Sequence, residues 1–342
     1  MKGRLVFSIL AGVCALGLAP PPAAGPAASG QPELVGEGTL STAADELGAA
    51  FTPDGGTIYF TLRSPTTSTP PLSVICVSHL AGGRWSEPEV APFSGRFNDS
   101  GPALSPDGHH LFFASDRPVP GKVTPTGPDA APDVDLWVMD QMEGGWSEPR
   151  NLGAPVNSPG IEQSPSVAAD GTLYFAGLRA GGKGSLDLYR ARWTGAAGAG
   201  GADYATPEPL TEIDSEAYEG QPAIAPDQSF LVFASAGRPD GLLGGGSPYQ
   251  RGDLYVSFRR GDGWSAPRPL PPPVNSTASE SSPSLSPDGR WLYFTSERSP
   301  FVVPMPRPLS AREMEAWLHG PLNGTGNLYR IDAAVIRTLE KP

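Results

Sequence analysis

The stretch Glu280 to Arg298, ESSPSLSPDGRWLYFTSER, constrains this chain most, because its pattern returns four more times. An acid opens it, an apolar strand runs into a Pro-Asp-Gly turn, a second strand follows, and an Arg closes it. Pro-Asp-Gly between two apolar runs signals a turn, so each copy reads as a β-hairpin. The other copies are ELGAAFTPDGGTIYFTLR (Glu46 to Arg63), DSGPALSPDGHHLFFASDR (Asp99 to Arg117), EQSPSVAADGTLYFAGLR (Glu162 to Arg179) and EGQPAIAPDQSFLVFASAGR (Glu219 to Arg238). Their turn aspartates, Asp54, Asp107, Asp170, Asp227 and Asp288, stand 53 to 63 residues apart. Self-similarity at such a period outranks any local motif in reading a fold.

Each hairpin is followed by a third strand, as in DLWVMD (Asp135 to Asp140), DLYRARW (from Asp187), DLYVSF (from Asp253) and NLYRID (from Asn327), with LSVICV a degenerate version. Most units then add a fourth segment: RWSEPEV, WSEPRNL, YATPEPL or WSAPRPL. Its Pro bars it from a central strand and suits an edge. Four-stranded antiparallel units repeated radially make a β-propeller, so the expectation is an all-β, five-bladed propeller over residues 32–340. The last unit lacks a fourth segment, and PELVGEGTLSTAADE before the first hairpin supplies it, closing the ring.

Gly 43 and Pro 41 fall mostly in turns and connections, as a many-stranded protein needs. The formal charge of -12, without a basic run, excludes a nucleic-acid partner. Lys2 and Arg4 precede an apolar run, Leu5 to Leu18, that is too short to span a bilayer, and small residues follow. Residues 1–28 therefore read as a signal peptide and leader, and the mature protein as an exported, periplasmic or secreted monomer. Cys14, in LAGVC, resembles a lipoprotein attachment site, but Val13 stands where that motif needs a small residue. Cys76 is then the one remaining thiol, expected as a small buried hydrophobe.

Residues 300–326 form an insertion containing SAREMEAWLHG, where Ser310 and Glu313 predict a capping box and Gly320 a helix end. Trp317 is a candidate for touching a ligand or for packing that helix down. Long connections from second to third strands, Pro118 to Val134 and Pro239 to Gly252 among them, crowd the same face of the disc.

The Ser-Pro-Asp-Gly hairpins, with Phe-x-Ser-x-Arg and Asp-Leu-Tyr after them, resemble the TolB-like β-propeller repeats of the bacterial envelope. The resemblance covers about residues 32 to 340 and implies a propeller that binds an envelope protein or a glycan. Asn157-Ser158 and Asn275-Ser276, before the acid, resemble a branch fused to peptidoglycan-binding domains, although no such domain is read here. Five blades also depart from the six or more usual in the family.

The acids that open the hairpins, Glu46, Asp99, Glu162, Glu219 and Glu280, occupy equivalent points of the innermost strands and would ring one channel mouth. Such a ring could hold Ca²⁺, which prefers several oxygen ligands, or grip a cationic group of a partner. Register offers the alternative that each acid pairs across its hairpin with Arg63, Arg117, Arg179, Arg238 or Arg298. No H-E-x-x-H zinc motif and no G-x-S-x-G elbow occurs, and no catalytic residue is assigned. The expected function is a non-enzymatic binding scaffold; the alternative is a polysaccharide hydrolase or lyase using two of the five acids.

Overall fold

A computed structural model describes residues 30–65, 72–119, 121–122, 133–195, 203–242, 252–301 and 304–340. The leader with Cys14, and most of the long connections after Pro118, Thr194 and Pro239, lie outside the described residues.

The five hairpins begin five separate antiparallel sheets. Their inner and second strands are Asp45–Phe51 and Thr57–Arg63, Asp99–Leu104 and His110–Ser115, Ile161–Val167 and Leu173–Leu178, Tyr218–Ile224 and Phe230–Ala236, and Glu280–Leu285 and Trp291–Ser296. Third strands follow in the order expected, with Ser73–Ala81 the first and Asn327–Asp332 the last. In blades 1, 2 and 4 the fourth strand is split into two short pieces, such as Arg84–Trp85 and Glu89–Val90, with Pro88, Pro149 or Pro267 in the gap. A Pro without an N–H interrupts the ladder there.

Blade 5 takes its outer strand from the start of the described chain. Glu33 pairs with Arg330 and Leu34 with Tyr329, antiparallel. A 2.7 Å ion pair between Glu33 and Arg330 and the Val35 N–H on the Leu328 carbonyl extend the junction. The ring is closed as the sequence predicted.

The middles of the second strands are apolar because both of their faces are buried. Side chains alternate across a strand, so Ile58 and Phe60 join the cluster shared with blade 5, whereas Tyr59 joins the one shared with blade 2. One apolar cluster fills each interface between adjacent blades. Each turn Asp uses one carboxylate oxygen to accept the N–H two residues on, at 2.9 to 3.0 Å, so these acids hold turns.

Helix α1 (Ala311–Leu318) has the predicted capping box of Ser310 and Glu313. The loop after it is pinned to blade 1 by Thr325 and Asn323, which donate to the Ala44 and Ala43 carbonyls. A short helix, α2 (Ala334–Arg337), inserts Ile336 between blades 4 and 5. Among the described residues, no helix is long and apolar enough to cross a membrane.

Candidate functional site: the central channel

Every inner strand carries a β-bulge at the same point of its repeat. The residue there lies in the left-handed region: Gly48, Gly101, Ser164, Gln221 and Ser282, with φ between 47° and 66°. Three of the five have a side chain, in a conformation that costs energy without glycine. Bulges re-aim side chains. Here they expose polar groups to the axis and lock blade to blade, since the Gly48, Gly101 and Ser282 N–H groups bond to Thr295, Thr61 and Gln221 of the preceding blade.

The axis holds a cavity of about 410 Å³ lined by all five inner strands. Its wall mixes apolar side chains such as Leu47, Ala103 and Pro222 with serines, Gln163, Gln221 and the Tyr218 phenol, and among the described residues it contains no carboxylate. The hydroxyl of Ser284 is buried in that wall with no hydrogen-bond partner among the described residues. One charged group reaches the channel, Arg63. Asp45, behind it, accepts from its Nε at 2.8 Å and its Nη2 at 2.7 Å, while the side chain remains 37% exposed. Burial pushes the Tyr218 hydroxyl up to about 12, with Gln163 and Arg63 acting the other way. It therefore stays a neutral donor at physiological pH.

The five hairpin acids do not form the expected ring at the channel mouth. Glu46, Asp99, Glu162, Glu219 and Glu280 are at most 1% exposed, and none lines the channel. Each is held under its own blade by a hydroxyl upstream: Thr42, Ser94, Ser158, Ser215 or Ser276. Glu46, Glu162, Glu219 and Glu280 also accept the N–H of that residue, so the acid staples the chain arriving from the previous blade. Burial raises the carboxyls of Glu46, Glu162 and Glu280 above their ordinary value, against these hydrogen bonds. Divided among five interfaces, the acids share no oxygen cage for the Ca²⁺ that the ring suggested.

The ion pairs form in four blades. Arg117, Arg179, Arg238 and Arg298 reach Asp99, Glu162, Glu219 and Glu280 at 2.7 to 3.2 Å. Each guanidinium also lies over aromatic rings: Arg117 on Phe113 and Trp137, Arg179 on Phe175 and Tyr189, Arg238 on Tyr255, and Arg298 on Phe294 and Tyr329, all at 4.9 to 5.5 Å. The Phe-x-Ser-x-Arg and Asp-Leu-Tyr signatures are thus two sides of one clamp. Blade 1 departs from this, and the pairing of Glu46 with Arg63 is corrected: Glu46 binds Asn327 of blade 5, at 3.0 Å, and Arg63 takes Asp45.

The cause is spacing. Arg63 comes three residues after Phe60, whereas Arg117, Arg179 and Arg298 come four after their Phe and Arg238 five, with Gly237 at φ 98° absorbing the extra residue. One residue fewer turns a strand side chain to the other face. The aromatic partner is missing as well, because Phe60 pairs across the ladder with Cys76, where the other blades place Trp137, Tyr189, Tyr255 or Tyr329. Cys76 is buried, and its burial pushes the thiol up to about 11, so it is inert packing.

Trp317 does not line the channel. It donates to the Leu322 carbonyl at 2.8 Å and meets Phe301 edge-on at 5.2 Å, so it holds the insertion together. Tyr218, Gln163 and the left-handed residues were missed in the sequence, and only the Phe-to-Arg spacing signalled Arg63.

No family model matches the chain, and no curated protein does. Among solved structures, α-L-arabinofuranosidase from Lactobacillus brevis superposes with a TM-score of 0.50 at 13% identity, covering 85% of this chain and 95% of that one. An α-L-arabinofuranosidase from Podospora anserina in complex with cellotriose gives 0.42 at 9% identity, over 88% and 93% of the two chains. A Trypanosoma rangeli sialidase gives 0.45 at 10%, over 90% of this chain and 61% of that one. At 13% identity the likeness to the Lactobacillus brevis structure establishes a shared fold alone.

Proposed function

We propose that this protein is an exported, TolB-like propeller that binds an acidic saccharide chain at its central channel. The observation that carries this reading is that Arg63 alone, among the described residues, brings charge to a channel wall whose other groups are uncharged, its polar ones being hydroxyls, amides and the Tyr218 phenol set among Pro, Ala and Leu side chains. Neutral donors and acceptors suit sugar hydroxyls, and the edge of the Arg63 guanidinium that Asp45 leaves uncovered suits one carboxylate. The buried, unpartnered Ser284 hydroxyl adds a polar atom that a ligand or water would satisfy. The arabinofuranosidase fold makes saccharides the first ligand class to test.

A hydrolase or lyase acting on the same polysaccharide is the second reading, favoured by the names of the proteins that share the fold. Its proton donor in this channel would be Tyr218 rather than any of the five hairpin acids. The two readings separate in one experiment: incubate the protein with oligogalacturonides and follow both its melting temperature and the saccharide products. A ligand that binds only the folded form raises the midpoint, and intact saccharide supports binding alone. New reducing ends or unsaturated ends support turnover, whereas no midpoint shift with acidic saccharides sinks both.

A further inference from the structure

The turn face of the disc carries a second cavity, which adjoins the channel at Phe51, Pro53, Ser286 and Pro287. Tyr59, Tyr174 and Tyr293 occupy one repeat position, and each interface offers its Tyr a Trp from the next blade. Trp146 donates its indole N–H to the Tyr59 hydroxyl at 3.0 Å, and Trp264 meets Tyr174 edge-on at 6.2 Å. Ile336 of α2 fills the interface between blades 4 and 5. Between blades 5 and 1 the corresponding pair stands open: Phe51 packs on Tyr293 at 4.5 Å, and Trp85 meets Phe51 at 6.3 Å. The result is a cleft of about 730 Å³, larger than the channel and within the range of small-molecule sites.

Its chemistry differs from the channel's. Trp291 is already covered by the guanidinium of Arg330 at 4.4 Å and approached by that of Arg290 at 5.1 Å, which leaves the half-exposed Trp85 as the free aromatic surface. Asp54 and Asp288 border the cleft, and hydrogen bonds within their turns hold both carboxyls below their ordinary value. Each uses one oxygen, Oδ1, for its turn, so the other is available. Glu37 adds a third exposed acid; of the two arginines that line the cleft, Arg330 is engaged with Glu33 and Arg84 is exposed, so among the described residues three carboxylates face one uncommitted guanidinium. An apolar ring beside ionised acceptors suits a sugar's C–H face and hydroxyls, and the excess of carboxylates repels acidic sugars. We propose that this cleft binds a neutral saccharide, stacked on Trp85 with hydroxyls donating to Asp54 and Asp288.

The test is calorimetric titration of the full chain with cellotriose, xylotriose and maltotriose. At least one should bind, Trp85→Ala should weaken it about tenfold, as losing one stacking contact implies, and Arg63→Ala should leave it unchanged. If Trp85→Ala does not fold, the double variant Asp54→Asn with Asp288→Asn keeps both turn acceptors and should weaken binding likewise. No heat with any of the three sugars overturns the proposal, as does full-strength binding in the double variant. Loss of acidic-saccharide binding in Arg63→Ala would concern the channel alone.

Discussion

Blade 1 and the other four blades are built from the same hairpin, yet their arginines do different work. In blades 2 to 5 the guanidinium lies under the sheet, bonded to a buried acid and stacked on rings, from two strands in blades 2, 3 and 5 and from the third strand in blade 4. In blade 1 the strand reaches its Arg one residue sooner, a thiol replaces the ring, and the same side chain emerges in the channel. A repeat protein can thus turn a structural residue into a channel-facing one by a change of one position in spacing. The repeat itself carries the fold, and its one departure changes what lines the axis.

The largest expected effect of breaking this contrast is on stability. Arg117→Ala leaves Asp99, which is fully buried, without its counter-charge, and should cost about 3 to 5 kcal/mol. Denaturant unfolding checks it, and a loss below about 1 kcal/mol would mean that the clamp is not what holds the blade.

A second contrast lies within the repeat at Asn157, Asp214 and Asn275. The two Asn side chains each accept the N–H of a third-strand residue and donate to its carbonyl, Leu136 in one case and Leu254 in the other. Asp214 accepts from the Leu188 N–H at 2.9 Å in the same way. Burial, with Asp187 and Glu219 close by, pushes its carboxyl up to about 8, while Lys183 opposes the shift. The folded chain therefore keeps a proton that the unfolded chain releases near the ordinary value of 3.8. That contribution is fully present below about pH 4 and is lost as pH rises to about 8. Asp214→Asn should flatten the decline and melt higher than the parent at pH 8. An unchanged pH slope in the variant would show that Asp214 does not hold the proton.

The smallest stability effect is expected at Arg63. Arg63 is 37% exposed and its partner Asp45, 11% exposed, keeps the Gly326 N–H as a second partner, so Arg63→Ala should cost about 1 kcal/mol. Arg63→Lys keeps the charge but loses the planar fork, and should bind an acidic saccharide more weakly than the parent.

Much of the fold was legible because the hairpin pattern repeats with its acids, turns and third strands in order, and the missing fourth strand of the last unit pointed to the start of the chain. The site was less legible. The acids looked like a ring because spacing gives position along a strand but not the face that a bulge selects. The Asn-Ser pair before the acid has a physical role visible only in three dimensions: Ser158 and Ser276 bind the acids while Asn157 and Asn275 hold the neighbouring strand. Cys76 was present in the sequence within a degenerate third strand, and the Phe60-to-Arg63 spacing was present but passed unread because the hairpin otherwise matched its copies. Tyr218 gave no signal, since its importance comes from blades brought together around the axis.

The central claim is that Arg63 faces a ligand while its four counterparts hold the structure. Measuring oligogalacturonide binding and thermal midpoint side by side in Arg63→Ala and Arg117→Ala tests it most directly. The expected result is lost binding with a near-parental midpoint in the first, and a strongly lowered midpoint with binding retained by the folded fraction in the second. Parental binding in Arg63→Ala, or two variants that lose midpoint and binding alike, would contradict it.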